Sequence, residues 1–105
     1  MKRNKMSEMK VNVASFKKQT DDMNDVFALK NRNYGNSFEI SLNKYGIIAA
    51  LTRLSDKFNR LETLILKGEN GTSDESIADT LIDLANYSVM TAVYLKSGGA
   101  NDEAE

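Results

Sequence analysis

The sequence predicts an all-α protein, a small bundle of three to four helices packed as an oligomer through the C-terminal helix. Three observations carry this. Proline is absent, the six glycines sit at a few punctuation points, and between them apolar residues recur at three- and four-residue steps. A chain of 105 residues has room for one domain and one core. With 41% hydrophobic and 28% charged residues, its composition is that of a globular chain rather than a disordered one.

Residues 1–14 are polar and basic. They are expected to be flexible, with at most a short extended piece at Lys10, Val11, Asn12 and Val13. The first helix is predicted from about Ser15 to Asn33, with an interrupted stripe of Phe16, Met23, Phe27 and Leu29 or Lys30 and with residues 17–22 facing outward. Gly35 follows as its stop. Asn36 with Glu39 three residues on is the capping-box pattern and opens a second helix. Gly46 either breaks that helix or permits close packing within it. From Ile47 a seam of Ile47, Leu51, Leu54, Phe58, Leu61 and Ile65 alternates four- and three-residue steps, as a coiled coil does. Lys67 and Gly68 suit its C-terminus as cation and cap glycine.

Residues 68–73 form a surface loop by composition. The last helix is predicted from Asp74, with acidic residues in its first turn to suit the dipole. Ile77, Leu81, Leu84 and Tyr87 or Ser88 make its stripe. Beyond Asn86 apolar residues surround the helix: Val89, Met90, Ala92, Val93, Tyr94 and Leu95. A helix apolar on every side needs cover on every side, and so short a chain can hardly supply it; a second chain is expected there. Residues 15–97 are thus read as the helical domain and 98–105 as an acidic flexible tail.

The chain has no Cys and no His. That excludes disulfides, zinc-thiolate sites and every Ser-His or Cys-His dyad, leaving carboxylates, Lys, Tyr or a carboxylate-bound hard cation such as Mg²⁺. A net charge of −1 gives no reason to expect general nucleic-acid binding. No segment approaches the length of a membrane span and no signal-peptide pattern opens the chain, so a soluble cytoplasmic protein is expected.

Three polar groups stand out. In the first, Lys30, Tyr34, Gly35, Asn36 and Ser37 gather where one helix ends and another begins. Free N–H groups at such a start suit a phosphate, and Tyr34 could stack on a base; a plain helix junction is the alternative. The second is Arg53, Lys57 and Arg60 on one helix face, either phosphate ligands or a solvated or ion-paired surface. The third is Glu75, Asp79 and Asp83, with Asn86 and Tyr87 extending the segment. Stacked carboxylates repel, so a metal ion, a ligand or the basic face of the second group should offset them.

These residues lie in Tyr34-Gly35-Asn36-Ser37-Phe38, then the run Arg53 to Leu61, then Asp74 to Tyr87. In that order they resemble the nucleotide-modification-associated domain 1 family of small phage and prophage helical proteins, over about Lys30 to Leu95. The resemblance implies a nucleotide-related role and no particular reaction. The last run is also distantly similar to the all-α MazG/dCTPase-type nucleoside-triphosphate pyrophosphatases, which hold Mg²⁺ on two acidic clusters. Glu75, Asp79 and Asp83 match the second cluster, but Arg53, Lys57 and Arg60 stand where the first wants paired Glu.

Three functions follow. One is a nucleotide-binding module without catalysis and without a cofactor. It could hold its ligand between subunits, for example as a sponge for a cyclic-nucleotide immune signal in the bacterial host. Another is a Mg²⁺-dependent nucleotide hydrolase, and the third an adaptor in a nucleotide- or DNA-modification system. Basic residues outnumber plausible metal ligands, so binding ranks first.

Overall fold

In the computed structural model the described residues are 8–68 and 73–98, the Tyr34 side chain excepted. The tail expected over 98–105, Gly98 aside, the first seven residues and part of the expected loop lie outside them. The chain divides into two compact units, Met1–Gly35 and Asn36–Glu105. Within the described residues four helices are bounded and there is no strand.

The first unit contains α1, Val13–Tyr34. Its start corrects the extended piece expected at Lys10–Val13. Asn12 accepts from the Ser15 N–H at 2.9 Å, and the Ser15 hydroxyl accepts from the Asn12 N–H at 3.0 Å. This reciprocal cap satisfies N–H groups the helix leaves orphaned. Of the expected stripe only Met23 is half-buried, while Phe16 and Phe27 are exposed. Lys17–Asp21 and Lys18–Asp22 pair four residues apart at 2.7 and 3.3 Å, which neutralises part of the basic N-terminal run. Gly35 caps the helix at φ +73° and ψ −173°, a region almost reserved for glycine.

The second unit contains α2 (Ser37–Tyr45), α3 (Ile48–Leu66) and α4 (Asp74–Lys96). Asn36 opens α2 as expected, accepting from the Glu39 N–H at 3.4 Å. The return bond runs from the Asn36 side-chain amide to Glu39 Oε1 at 2.8 Å, not from its backbone. Gly46 breaks the chain between α2 and α3 at φ +74°, deciding the two readings of that residue. At the far end of α3, Lys67 is the cap. Gly68 has no positive φ, so the expected cap glycine is not used as one.

α3 and α4 pair along their lengths and α2 packs on α3. A connection of seven residues, 67–73, cannot run back along a helix of about 28 Å. The two long helices are therefore an antiparallel hairpin.

Their contact line differs from the predicted stripes. On α3 the inward line is Ala50, Leu54, Lys57, Leu61 and Leu64, so the expected seam splits: Leu54 and Leu61 turn in, Ile47, Leu51, Phe58 and Ile65 stay exposed. The physical reason is Ala50, which is 1% exposed, as is Leu42 on the helix α2 that packs on α3. A small residue lets neighbouring backbone approach closely, and the packing centre shifts toward it. On α4 the inward line is Ser76, Thr80, Asp83, Tyr87, Thr91 and Tyr94. Leu81 is exposed, Ile77 and Leu84 flank the line, and of Tyr87 and Ser88 it is Tyr87 that turns in. Thr80 and Thr91 are buried because each hydroxyl donates to the carbonyl four residues back, at 2.9 and 2.6 Å, leaving the methyl as the packing surface.

Candidate functional site

The second unit brings members of all three polar groups to one level of the hairpin. Phe38, in the first turn of α2, meets Tyr87 of α4 edge to face, with ring centroids 5.0 Å apart at 75°. Asp83, one turn earlier on α4, accepts from Lys57 Nζ of α3 at 3.4 Å. The start of α2, the middle of α3 and the middle of α4 thus converge within about one helical turn. At the other end of α2, the Tyr94 hydroxyl donates to Asn43 Oδ1 at 2.8 Å, which fixes the direction in which α2 crosses the hairpin.

Of the basic trio, Lys57 is half-buried and ion-paired, while Arg53 and Arg60 are exposed. Neither arginine has an acidic partner among the described residues. The ion-paired reading therefore applies to Lys57, and the solvated one to Arg53 and Arg60. Arg53 and Arg60 stand one turn either side of it, each with a free guanidinium fork suited to phosphate or carboxylate. At the start of α2 the N–H groups of Ser37 and Phe38 have no acceptor among the described residues, as the first turn of a helix dictates. These donors carry the partial positive charge of the helix end.

The acidic edge does not act as one. Asp83 turns to Lys57, while Glu75 and Asp79 are exposed. Among the described residues no three acidic side chains come together so as to hold a metal ion. Asn86 is half-buried beside Tyr87 in sequence. Lys30, Tyr34 and Gly35 belong to the first unit; Lys30 is exposed in the last turns of α1 and Gly35 is its cap. The sequence reading missed Phe38 and Asn43 as the partners of Tyr87 and Tyr94. A tyrosine on a packed face needs somewhere for its hydroxyl, which was the available signal. A depression of about 450 Å³ at the start of α1, lined by Val11, Val13, Phe16, Asn12, Lys17 and Thr20, involves none of the predicted site residues.

The class this defines is a small all-α domain, a helical hairpin crossed at one end by a short third helix. The family model described as nucleotide modification associated domain 1 matches residues 30–95, more than half of the chain, and the protein belongs to that family. The match takes in α2, α3 and nearly all of α4, with only the last turns of α1. No curated protein matches the chain, and no solved structure does. Among the described residues no helix is long and apolar enough to cross a membrane.

Proposed function

We propose that the protein binds a nucleotide through the face where α2 begins, holds it without turning it over, and works as a homo-oligomer in the cytoplasm. The observation that carries this is that the Phe38–Tyr87 and Lys57–Asp83 contacts bring the free N–H groups of α2 to within about one helical turn of the level of Lys57, with Arg53 and Arg60 one turn either side of it on α3. Phosphate oxygens suit the N–H groups and guanidinium forks. Ribose hydroxyls and base amino groups suit Asp83 and Asn86, which can accept from them. A family description concerned with nucleotide modification points to the same ligand class. A sponge for a cyclic-nucleotide signal is one form of this activity, since a ligand with two phosphates would use both free arginines.

Hydrolysis is less favoured, because it needs carboxylates converging on a cation and Asp83 is committed to Lys57. The oligomeric part of the reading is supported by the apolar residues left exposed on α4, among them Leu81 and Leu95, which a single chain does not cover.

A thermal-shift screen against nucleotides, with and without Mg²⁺, tests the proposal. A ligand near 100 times its dissociation constant should stabilise the fold by roughly 2.7 kcal/mol, a shift of several degrees, and should be recovered intact by chromatography. Absence of any stabilising nucleotide would sink the binding reading, and conversion only with Mg²⁺ would replace it with the hydrolase.

A further inference from the structure

The second unit has two unlike faces. Residues advance about 100° each around a helix. From the inward line of α3, Ile47, Leu51, Phe58 and Ile65 lie about 80° round in one sense, Arg53 and Arg60 about as far in the other. On α4, Leu95 lies about 80° and Leu81 about 120° round in the first sense, and Asp79 and Asn86 about 80–100° round in the second. Because the helices are antiparallel, equal rotation in one sense brings both to the same side of the hairpin. One side is therefore mainly apolar, and the other carries Arg53, Arg60, Asp79 and Asn86. The six apolar side chains are between 45 and 59% exposed, and α2 leaves them uncovered.

We infer that this apolar face pairs with the same face of a second copy, so that two α3–α4 hairpins complete a four-helix bundle. The inference rests on the homo-oligomeric part of the reading above and specifies its surface. Three observations select a second copy as occupant. Leu54 and Leu61 with the exposed Ile47, Leu51, Phe58 and Ile65 make an unbroken alternation of four- and three-residue steps, the pattern by which helices pack on one another. The six exposed positions and the Ile77, Leu84 and Ser88 positions between them carry no charge, and the exposed Glu62, about 120° round α3, stands at the rim, so the centre of the face is self-complementary under a two-fold axis.

The third observation is size. From Ile47 to Ile65 the face runs about 27 Å, and two helices make it about 20 Å wide. A flat projection of roughly 500 Å² is of the order of, though smaller than, the accessible surface of about 800 Å² that one side of a standard interface buries. The chain also needs this cover: its buried apolar residues among those described are Leu42, Ala50 and Leu61, a small core for any domain. A second copy is the partner always present when the chain folds. In the pair, Arg53 and Arg60 face outward on each copy. Each chain then carries its own nucleotide face, rather than sharing one between subunits.

Light scattering on the full chain at micromolar concentration should give a dimer, and Leu51→Glu and Phe58→Glu should each give a monomer with the helical circular dichroism retained. Val93→Glu, away from the face, should stay dimeric. As the chain has no cysteine, Leu51→Cys supplies a second readout that does not depend on tolerance of a buried charge. Its thiol should label slowly at high protein concentration and faster on dilution, whereas Val93→Cys should label quickly at both. A monomeric wild-type chain would overturn both the interface and the oligomeric reading. An oligomer indifferent to Leu51→Glu and Phe58→Glu, or a Leu51→Cys thiol as reactive as that at 93, would overturn this interface and leave self-association standing.

Discussion

Leu42 and Ala50 show how one small residue decides a packing arrangement. Each is 1% exposed, and a small residue at position 50 lets α2 and α3 approach closely where they pack. Leu42→Ala removes the largest fully buried side chain among the described residues and is expected to cost about 2–5 kcal/mol in urea unfolding; a cost below about 1 kcal/mol would show that Leu42 is not the centre of the packing. The buried threonines are a different solution to the same problem. Their hydroxyls are satisfied inside α4, so a polar residue fills a packing position with no unpaired atom. Lys57 and Asp83 contribute little to the fold. With side chains 30 and 49% exposed and 3.4 Å apart, the pair is worth no more than about 1 kcal/mol.

The helices themselves were legible in the sequence because periodicity and caps are local. The Asn36–Glu39 pattern, the acidic first turn of α4 and the break at Gly35 all appear where the spacing predicts them. Gly46→Ala tests the break between α2 and α3. At φ +74° and ψ −163° a side chain meets no atom within 4 Å, so only backbone strain opposes it. A loss of about 1–3 kcal/mol in stability is expected, and an unchanged midpoint would mean that the chain reaches this turn without strain. The rotation of each helix was not legible. The heptad seam of α3 names six candidates for two neighbours, and sequence spacing cannot say which of them face α4. Ala50 and Thr80 settle that, and both look unremarkable in a hydrophobicity pattern. The candidate site was legible to the same extent. Lys57, Asp83 and Tyr87 were identified as polar or aromatic positions, but their partners depend on how α2 crosses the hairpin, which no local signal encodes.

For the whole molecule, one apolar and one polar face on the same hairpin separate assembly from ligand binding. The polar face combines the start of α2, two arginines with no acidic partner among the described residues and an ion-paired lysine that a phosphate can compete for. Substitutions on that face should therefore change affinity with little effect on stability, whereas those on the apolar face should act on assembly first. The central claim is that this protein holds a nucleotide by its basic face and leaves it intact. The measurement that tests it most directly is calorimetric titration of wild type, Arg53→Ala and Lys57→Ala with the best-stabilising nucleotide, followed by chromatography of the ligand. Loss of a charge-assisted contact of about 1.5–3 kcal/mol predicts affinity falling roughly 10- to 100-fold in each variant, with the nucleotide recovered unchanged from all three proteins. Equal affinity in wild type and both variants, or a nucleotide consumed by the wild type, would contradict it.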